Sequence, residues 1–333
     1  MAFFVTTATP WNTLLAWIEK LIYGRAIAEA EFQGAPVFII GHWRSGTTLL
    51  HELLVRDERF SSPSTFQCFA PSHFLVSEWM FQKFFPWLLP GKRPMDNMDA
   101  GWKRPQEDEF ALMNLGVPSP YRRIAFPNEP APAMEYLSLT EVDDVRRHEW
   151  IEALRQFLLR VSLATQRPLV VKSPTHTGRL ATLARQFPDA KFIHLTRDPR
   201  SLYPSTCRLW RSLEHAQALQ SSNTDSDAES RLGEYVLQCF EKMYSAFHEA
   251  RKNVPEHRLL DLRYEDLIAD PVESLRKIYE HLRLADFESV EPDIRQWVET
   301  QHRDYQTNRH QLDEATEATL KSRWSDYFQA YGY

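Results

Sequence analysis

The sequence predicts an α/β fold, a single P-loop-type domain over residues 1–333 with a central parallel sheet flanked by helices. Three observations predict it. Residues 36–50, PVFIIGHWRSGTTLL, run from an apolar strand (Val37 to Ile40) through Gly41 and a polar loop into a helix opened by Gly46, Thr47 and Thr48. Residues 168–206 repeat strand and helix twice at a pace that implies parallel pairing with right-handed crossovers. A further strand over Arg258 to Leu262 ends in Tyr264, Glu265 and Asp266.

The first of these stretches organises the rest. Backbone N–H groups at a helix start lack partners, and the helix dipole adds partial positive charge, so such a turn attracts anions. The spacing from Gly41 to Gly46 is that of a Walker loop, but Thr47 stands at the Walker lysine position and Arg44 is the cation inside the loop. Only 10 of 333 residues are glycine, against about 7 per cent in ordinary proteins, so two of them five positions apart carry weight.

Other elements follow in order. Residues 11–31 place Leu14, Leu15, Ile18, Leu21 and Ile22 at helical spacing, an amphipathic lead-in helix whose Trp11 and Trp17 are expected to pack on the body of the protein, with a membrane surface or a partner as the alternative. A helix from Thr47 runs to Asp57. Residues 68–90 are rich in Phe and Trp, and form either an acceptor-side pocket or lid or a core helix. RPQEDEFALM (104–113) reads as a helix with Pro105 at its first position, and its acids Glu107, Asp108 and Glu109 are either dipole-complementing charges or a source of a catalytic base. A helix follows over Glu141 to Thr165. The strand Leu169 to Val171 ends at Lys172, with Ser173 and Pro174 as cap and first position of a helix to Phe187. Lys191 to Thr196 is a strand, and Arg197 to Pro199 turns into the next helix. A polar loop over 218–230 precedes a helix from Arg231 to Asn253; another runs from Pro271 to Leu284; the polar tail 301–311 is expected over the site before a closing helix with Trp324, Tyr327 and Phe328.

Composition narrows the function. A net charge of -6 argues against a general nucleic-acid binder. Cys68, Cys207 and Cys239 are odd in number and lack CxxC spacing, which disfavours a disulfide framework or structural zinc and points to a cytoplasmic protein. No signal-peptide pattern and no apolar run long enough to span a bilayer is present. Oligomeric state stays open.

Strand ends are where ligands bind in such folds. They offer Arg44 in the loop, Lys172 with His176 nearby, Arg197 with Ser205 eight residues on, and Tyr264 with Glu265. This set suits a ligand with two separated anionic groups, one at the Arg44 loop and one at the Arg197–Ser205 pair. A P-loop small-molecule kinase, or a non-catalytic nucleotide-binding protein, is the alternative; the first would want the Walker lysine and a magnesium-binding acid, and the second would not need Lys172 and His176.

GHWRSGTTLL, VVKSPTHT, FIHLTRDPRSLYPST and LRYEDLIADPVESLRKIYEHL, in that order from Pro36 to Leu284, resemble the sulfotransferase family that uses 3′-phosphoadenosine-5′-phosphosulfate. The resemblance implies that Arg44, Ser45, Gly46, Thr47 and Thr48 bind the 5′-phosphosulfate end, that Arg197 and Ser205 bind the 3′-phosphate, and that Lys172 lies near the transferred group. Tyr264 joins the donor-binding set. Leu49 stands where cytosolic members carry a tryptophan that stacks on adenine, so the chain is more similar to the bacterial and tyrosylprotein-type branches. Those branches often supply an acidic base soon after the loop helix, yet SSPSTFQ (61–67) holds no carboxylate. His176 is therefore the expected general base, since its ordinary pKa suits neutral pH, with Glu107 or Glu109 as runner-up. No metal is required, because the donor is already activated. The aromatic stretch favours a hydrophobic, lipid-like hydroxyl acceptor and leaves room for peripheral membrane contact.

Overall fold

Four short strands position everything else. β1 (Val37–Ile40), β2 (Val170–Lys172), β3 (Lys191–Thr196) and β4 (Leu259–Arg263) form one parallel sheet in the order β2-β1-β3-β4. The computed structural model describes residues 2–84, 101–220, 226–302 and 312–333. All four strands match the sequence expectation to within a residue or two, for a physical reason. A parallel sheet covered on both faces buries every side chain of its inner strands, so these read as unbroken apolar runs.

The two faces separate along β1. Phe38 and Ile40 join Val171 and Phe192 in one core, while Val37 and Ile39 join Val170, Ile193 and Leu195 in another. Each fully buried Ile, Val or Phe of this kind contributes about 1.5–3 kcal/mol.

In chain order the helices are α1 (Ala2–Ala28), α2 (Thr47–Leu54), α3 (Thr65–Phe69), α4 (Phe74–Phe84), α5 (Asp108–Asn114), α6 (Arg122–Ala125) and α7 (Asp144–Thr165). Then come α8 (Leu180–Gln186), α9 (Pro199–Gln217), α10 (Ser226–Arg251), α11 (Tyr264–Ala269), α12 (Pro271–His281), α13 (Glu291–Trp297), α14 (Glu314–Arg323) and α15 (Ser325–Tyr331). α7, α8 and α10 cover the first face, through Trp150, Phe157, Leu183 and Phe240; α2, α11 and α12 cover the second, through Leu50, Leu53, Leu267 and Ile278. The result is three layers, helix on sheet on helix.

Several expectations shift. The lead-in helix begins at Ala2 rather than residue 11. The described part of the aromatic stretch is two helices, because Pro71 separates α3, started by a Ser64–Gln67 capping box, from α4; residues 85–90 lie outside the described residues. α5 starts at Asp108 rather than at Pro105, since the backbone before it is committed elsewhere. Thr65 N donates to Arg104 O at 2.9 Å and Gln106 N to Pro63 O at 2.9 Å, an extended pairing that a helix would break. After β2 the chain makes a tight 3₁₀ turn over Pro174–Arg179 before α8, and Ser173 does not cap it with its side chain. The tail expected over the site falls on residues 303–311, outside those described. Cys68, Cys207 and Cys239 are all buried and free.

Candidate active site

The strand order reverses between β1 and β3, and in open α/β sheets that crevice beyond the carboxyl ends is where ligands bind. Two loops meet there. The first, after β1, turns at Gly46 with φ +97°, and α2 begins without any side-chain cap. A side chain at Gly46 would run into the ring edge of Tyr264, so only glycine fits both the backbone angle and the space. Ser45 is fully buried, and its hydroxyl has no hydrogen-bond partner among the described residues. A buried unpartnered hydroxyl next to an uncapped helix start is what an oxyanion of a donor phosphate would satisfy. Burial pushes the neighbouring His42 down to about 3, so no imidazolium charge competes in the loop.

The second loop, after β3, carries Arg197. Its guanidinium lies 4.2 Å over the Tyr264 ring and donates from Nη1 to the Arg44 carbonyl at 2.6 Å. Arg44 itself adopts φ +69°, and its Nε donates to Ser205 Oγ at 3.1 Å. The three residues therefore meet. Sequence reasoning set Arg44 apart from Arg197 and Ser205, at opposite anionic ends; the left-handed backbone at Arg44 instead turns its guanidinium toward α9. Ser45, Gly46, Thr47 and Thr48 stay on the loop side, and Tyr264 braces both halves.

Opposite the loop, three successive acids each take a different partner from residues 172–179. Lys172 Nζ donates to Glu107 Oε1 at 2.6 Å and to Thr48 Oγ1 at 3.4 Å. Asp108 accepts from Ser173 Oγ and faces His176 Nε2 at 2.7 Å. Glu109 accepts from Thr175 Oγ1 at 2.8 Å and from Arg179 Nη1 at 2.5 Å. Burial alone would raise the Glu109 carboxyl, but the Arg179 charge and its hydrogen bonds hold it below its ordinary range.

These pairs differ in access. Asp108, Glu109, His176 and Arg179 are fully buried, whereas the Glu107 side chain keeps 12 % of its surface open. Glu107 Oε2 also accepts from the Tyr121 hydroxyl, which in turn accepts from Trp43 Nε1 at 2.9 Å. Burial and the Glu107 charge push the Tyr121 phenol well above its ordinary value, so it stays a donor. His51, on α2, is pushed to about 3 by burial and by the Lys172 ammonium.

This arrangement places His176, the expected base, inside the core. His176 sits edge-on to the Phe38 and Trp150 rings, at 5.8 and 5.9 Å between centroids, with both ring nitrogens facing protein groups. It is a packed, satisfied core histidine with no open side from which to reach an acceptor. Among the described residues no cluster of His, Cys, Asp or Glu has the size of a metal site.

The family model for the sulfotransferase family matches residues 36–289. The chain belongs to the sulfotransferase family. This sulfotransferase is 42 % identical, over 322 residues, to omega-hydroxy-beta-dihydromenaquinone-9 sulfotransferase Stf3 of Mycobacterium bovis and of Mycobacterium tuberculosis, a match that covers 97 % of this chain and 81 % of the relative. Among solved structures it is similar in fold to sulfotransferase STF9 from Mycobacterium avium, with TM-score 0.70 and 21 % identity over 96 % of this chain and 81 % of that one. It is likewise similar to STF1 from Mycobacterium tuberculosis, with TM-score 0.66 and 19 % identity over 94 % and 82 %. Family membership decides against the kinase and the non-catalytic binder, and makes the chain an enzyme that transfers a sulfonate group.

Sequence reasoning missed three residues that the structure brings to the candidate site: Trp43, Tyr121 and Arg179. Trp43 lay in plain view inside the loop. Tyr121 stands in a proline-rich stretch, and Arg179 two residues past the motif THT, where neither spacing nor composition marks them.

Proposed function

We propose that this sulfotransferase moves the sulfonate of 3′-phosphoadenosine-5′-phosphosulfate to the hydroxyl of a hydrophobic, lipid-like acceptor in the cytoplasm, with Glu107 as general base. The observation that carries the reading is the Thr48–Lys172–Glu107 chain, which ties the donor loop to the one partly open carboxylate. The residues suit the donor: an orphaned Ser45 hydroxyl and the uncapped helix start for the phosphosulfate end, and Arg197, Ser205 and Arg44 for a 3′-phosphate. When bound, that donor supplies a sulfonate already activated by its phosphate leaving group.

The chain's own residues then have distinct tasks. Glu107, held on one oxygen by Lys172 and on the other by Tyr121, is oriented to accept the proton of an incoming hydroxyl. Lys172 and the loop N–H groups place positive charge where negative charge grows. His176 and Arg179 fix α5 and the turn that follows β2, and through them the angle of Glu107. A hydrophobic acceptor is supported by the mycobacterial relative, whose name gives a hydroxylated menaquinone as its acceptor. It is supported too by the aromatic cluster of Phe66, Phe81 and Trp102 on the segment leading to α5.

The test is a transfer assay with sulfur-labelled donor, or with labelled ATP, against a panel of hydroxylated lipids and polar glycans. Label is expected to pass only from the phosphosulfate donor and only to the hydrophobic acceptors, and Arg197→Ala is expected to weaken donor affinity at least about tenfold through loss of a charge-assisted contact. Transfer from ATP, or acceptance by the glycans alone, overturns the reading.

A further inference from the structure

α1 is apolar on the wrong side for a helix in water. Its inward face docks through the buried Glu19, whose Oε2 accepts from Leu75 N of α4 at 2.8 Å, and through the buried Ile27. The opposite face presents Trp11, Leu14, Trp17, Leu21 and Ile22 at helical spacing, and four of these five are at least 60 % exposed. Trp79 of the contacting α4 is also 64 % exposed. A surface helix ordinarily turns charged residues outward, and monomeric soluble proteins seldom expose so continuous an apolar patch.

The uncompensated charges beside it are basic. Glu19, the single acid between residues 2 and 28, is buried, Arg25 pairs with Glu29 just past the helix at 2.8 Å, and Lys20 on α1 and Lys83 on α4 are exposed. Tryptophans on an apolar face with basic flanks are the composition of a helix that lies in the headgroup region of an anionic bilayer. The patch is also connected to the chemistry. α1 packs on α4, α4 on α3, and α3 on α5, the helix that Glu107 immediately precedes.

We propose that the outward face of α1, with Trp79 of α4, is a monotopic docking surface for an anionic lipid bilayer, orienting the acceptor side of the enzyme toward the membrane. The inference rests on the lipid-like acceptor argued above. The bilayer, rather than a second copy of the chain, is the occupant because Lys20 and Lys83 complement anionic headgroups and the acceptor argued above is itself lipid-like. No helix among the described residues is long and apolar enough to cross a membrane, so the contact is one of lying on the surface.

Flotation of the full chain with vesicles of phosphatidylcholine alone, or of phosphatidylcholine with phosphatidylglycerol, tests this. The expected result is binding to the mixed vesicles, about tenfold weaker binding to the neutral ones, and a loss of at least about tenfold in Trp11→Ser/Trp17→Ser/Leu21→Ser, with affinity for desulfated donor nucleotide unchanged. Single Trp17→Ser and charge-reversing Lys20→Glu variants report the same axis if the triple variant loses its nucleotide binding. Wild-type protein that stays unbound, variants that float as well as wild type, or a dimer without vesicles that Trp17→Ser converts to monomer would each overturn the proposal. Lost flotation with intact sulfonate transfer counts against docking alone; lost transfer from the phosphosulfate donor with intact flotation counts against the functional reading alone.

Discussion

Glu107→Gln changes one charge and almost no volume at the centre of the site. In the native chain the carboxylate accepts from Lys172 on one oxygen and from Tyr121 on the other, and Lys172 is only 2 % exposed. The amide can accept on one side only, so one of these two donors is left facing another donor. If Glu107 is the base, turnover falls by about 10²–10⁴, equivalent to roughly 2.7–5.4 kcal/mol in the barrier. Leaving Lys172 buried without its counter-charge costs stability as well, on the order of 3–5 kcal/mol. The two effects separate in Glu107→Gln/Lys172→Met, where an apolar side chain replaces the stranded ammonium and folding stability recovers while turnover does not. Turnover is measured per folded molecule at saturating donor and acceptor, stability by urea titration, and nucleotide affinity by calorimetry. A Glu107→Gln enzyme within about threefold of wild-type turnover would refute the assignment.

Three further outcomes follow from the geometry. Gly46→Ala forces a left-handed backbone on a side chain, costing about 1–2 kcal/mol, and pushes the Tyr264 ring from beneath Arg197; desulfated-nucleotide affinity falls, and an unchanged calorimetric affinity contradicts the role given to this turn. His176→Asn loses roughly 1–3 kcal/mol of stability, since it leaves Asp108 short of a buried partner, yet keeps turnover per folded molecule within about threefold; a hundredfold drop in a stably folded variant returns histidine to the chemistry. His42 and His51 are held at about 3 in the folded chain against an ordinary 6.5, so below 6.5 the unfolded chain binds protons that the folded chain refuses. Their contribution is complete above pH 6.5 and is lost as pH falls toward 3, about 2 kcal/mol per histidine at pH 5. His51→Gln therefore flattens the acid limb of a stability-versus-pH curve, and an unaltered limb disproves the assignment.

β1, β2 and β3 were legible because burial on both faces leaves a mark on nearly every residue, and the crossover pace between 168 and 206 fixed their parallel sense. The turn at Gly46 was legible because a glycine forced by φ +97° is a local pattern; the meeting of Arg44 with Ser205, 161 residues on, was not. Nor was the acceptor side. Glu107, Asp108 and Glu109 are neighbours in sequence, but Glu107 has extended backbone angles (φ -76°, ψ 126°) while the next two begin a helix, so the three point in different directions. Which one meets solvent depends on Ser173, His176 and Arg179, more than sixty residues away. Histidine's ordinary pKa favoured His176 on chemistry alone, and only packing against Phe38 and Trp150 shows that it is sealed.

The run of three acids against residues 172–179 also acts as a ruler. A slip of α5 by one residue would pair Lys172 with Asp108 or move Glu109 off Arg179, stranding at least one charge in an interior that tolerates none. α5 can therefore seat in a single register regardless of what precedes it. The register is thus set from residues 172–179, while α3 joins α5 and its lead-in separately, through the Thr65 N to Arg104 O bond at 2.9 Å and through buried Phe66. Under the proposed mechanism, the carboxylate that would accept the proton is held in place by one stretch of chain, and the aromatic side chains proposed to meet the alcohol belong to another.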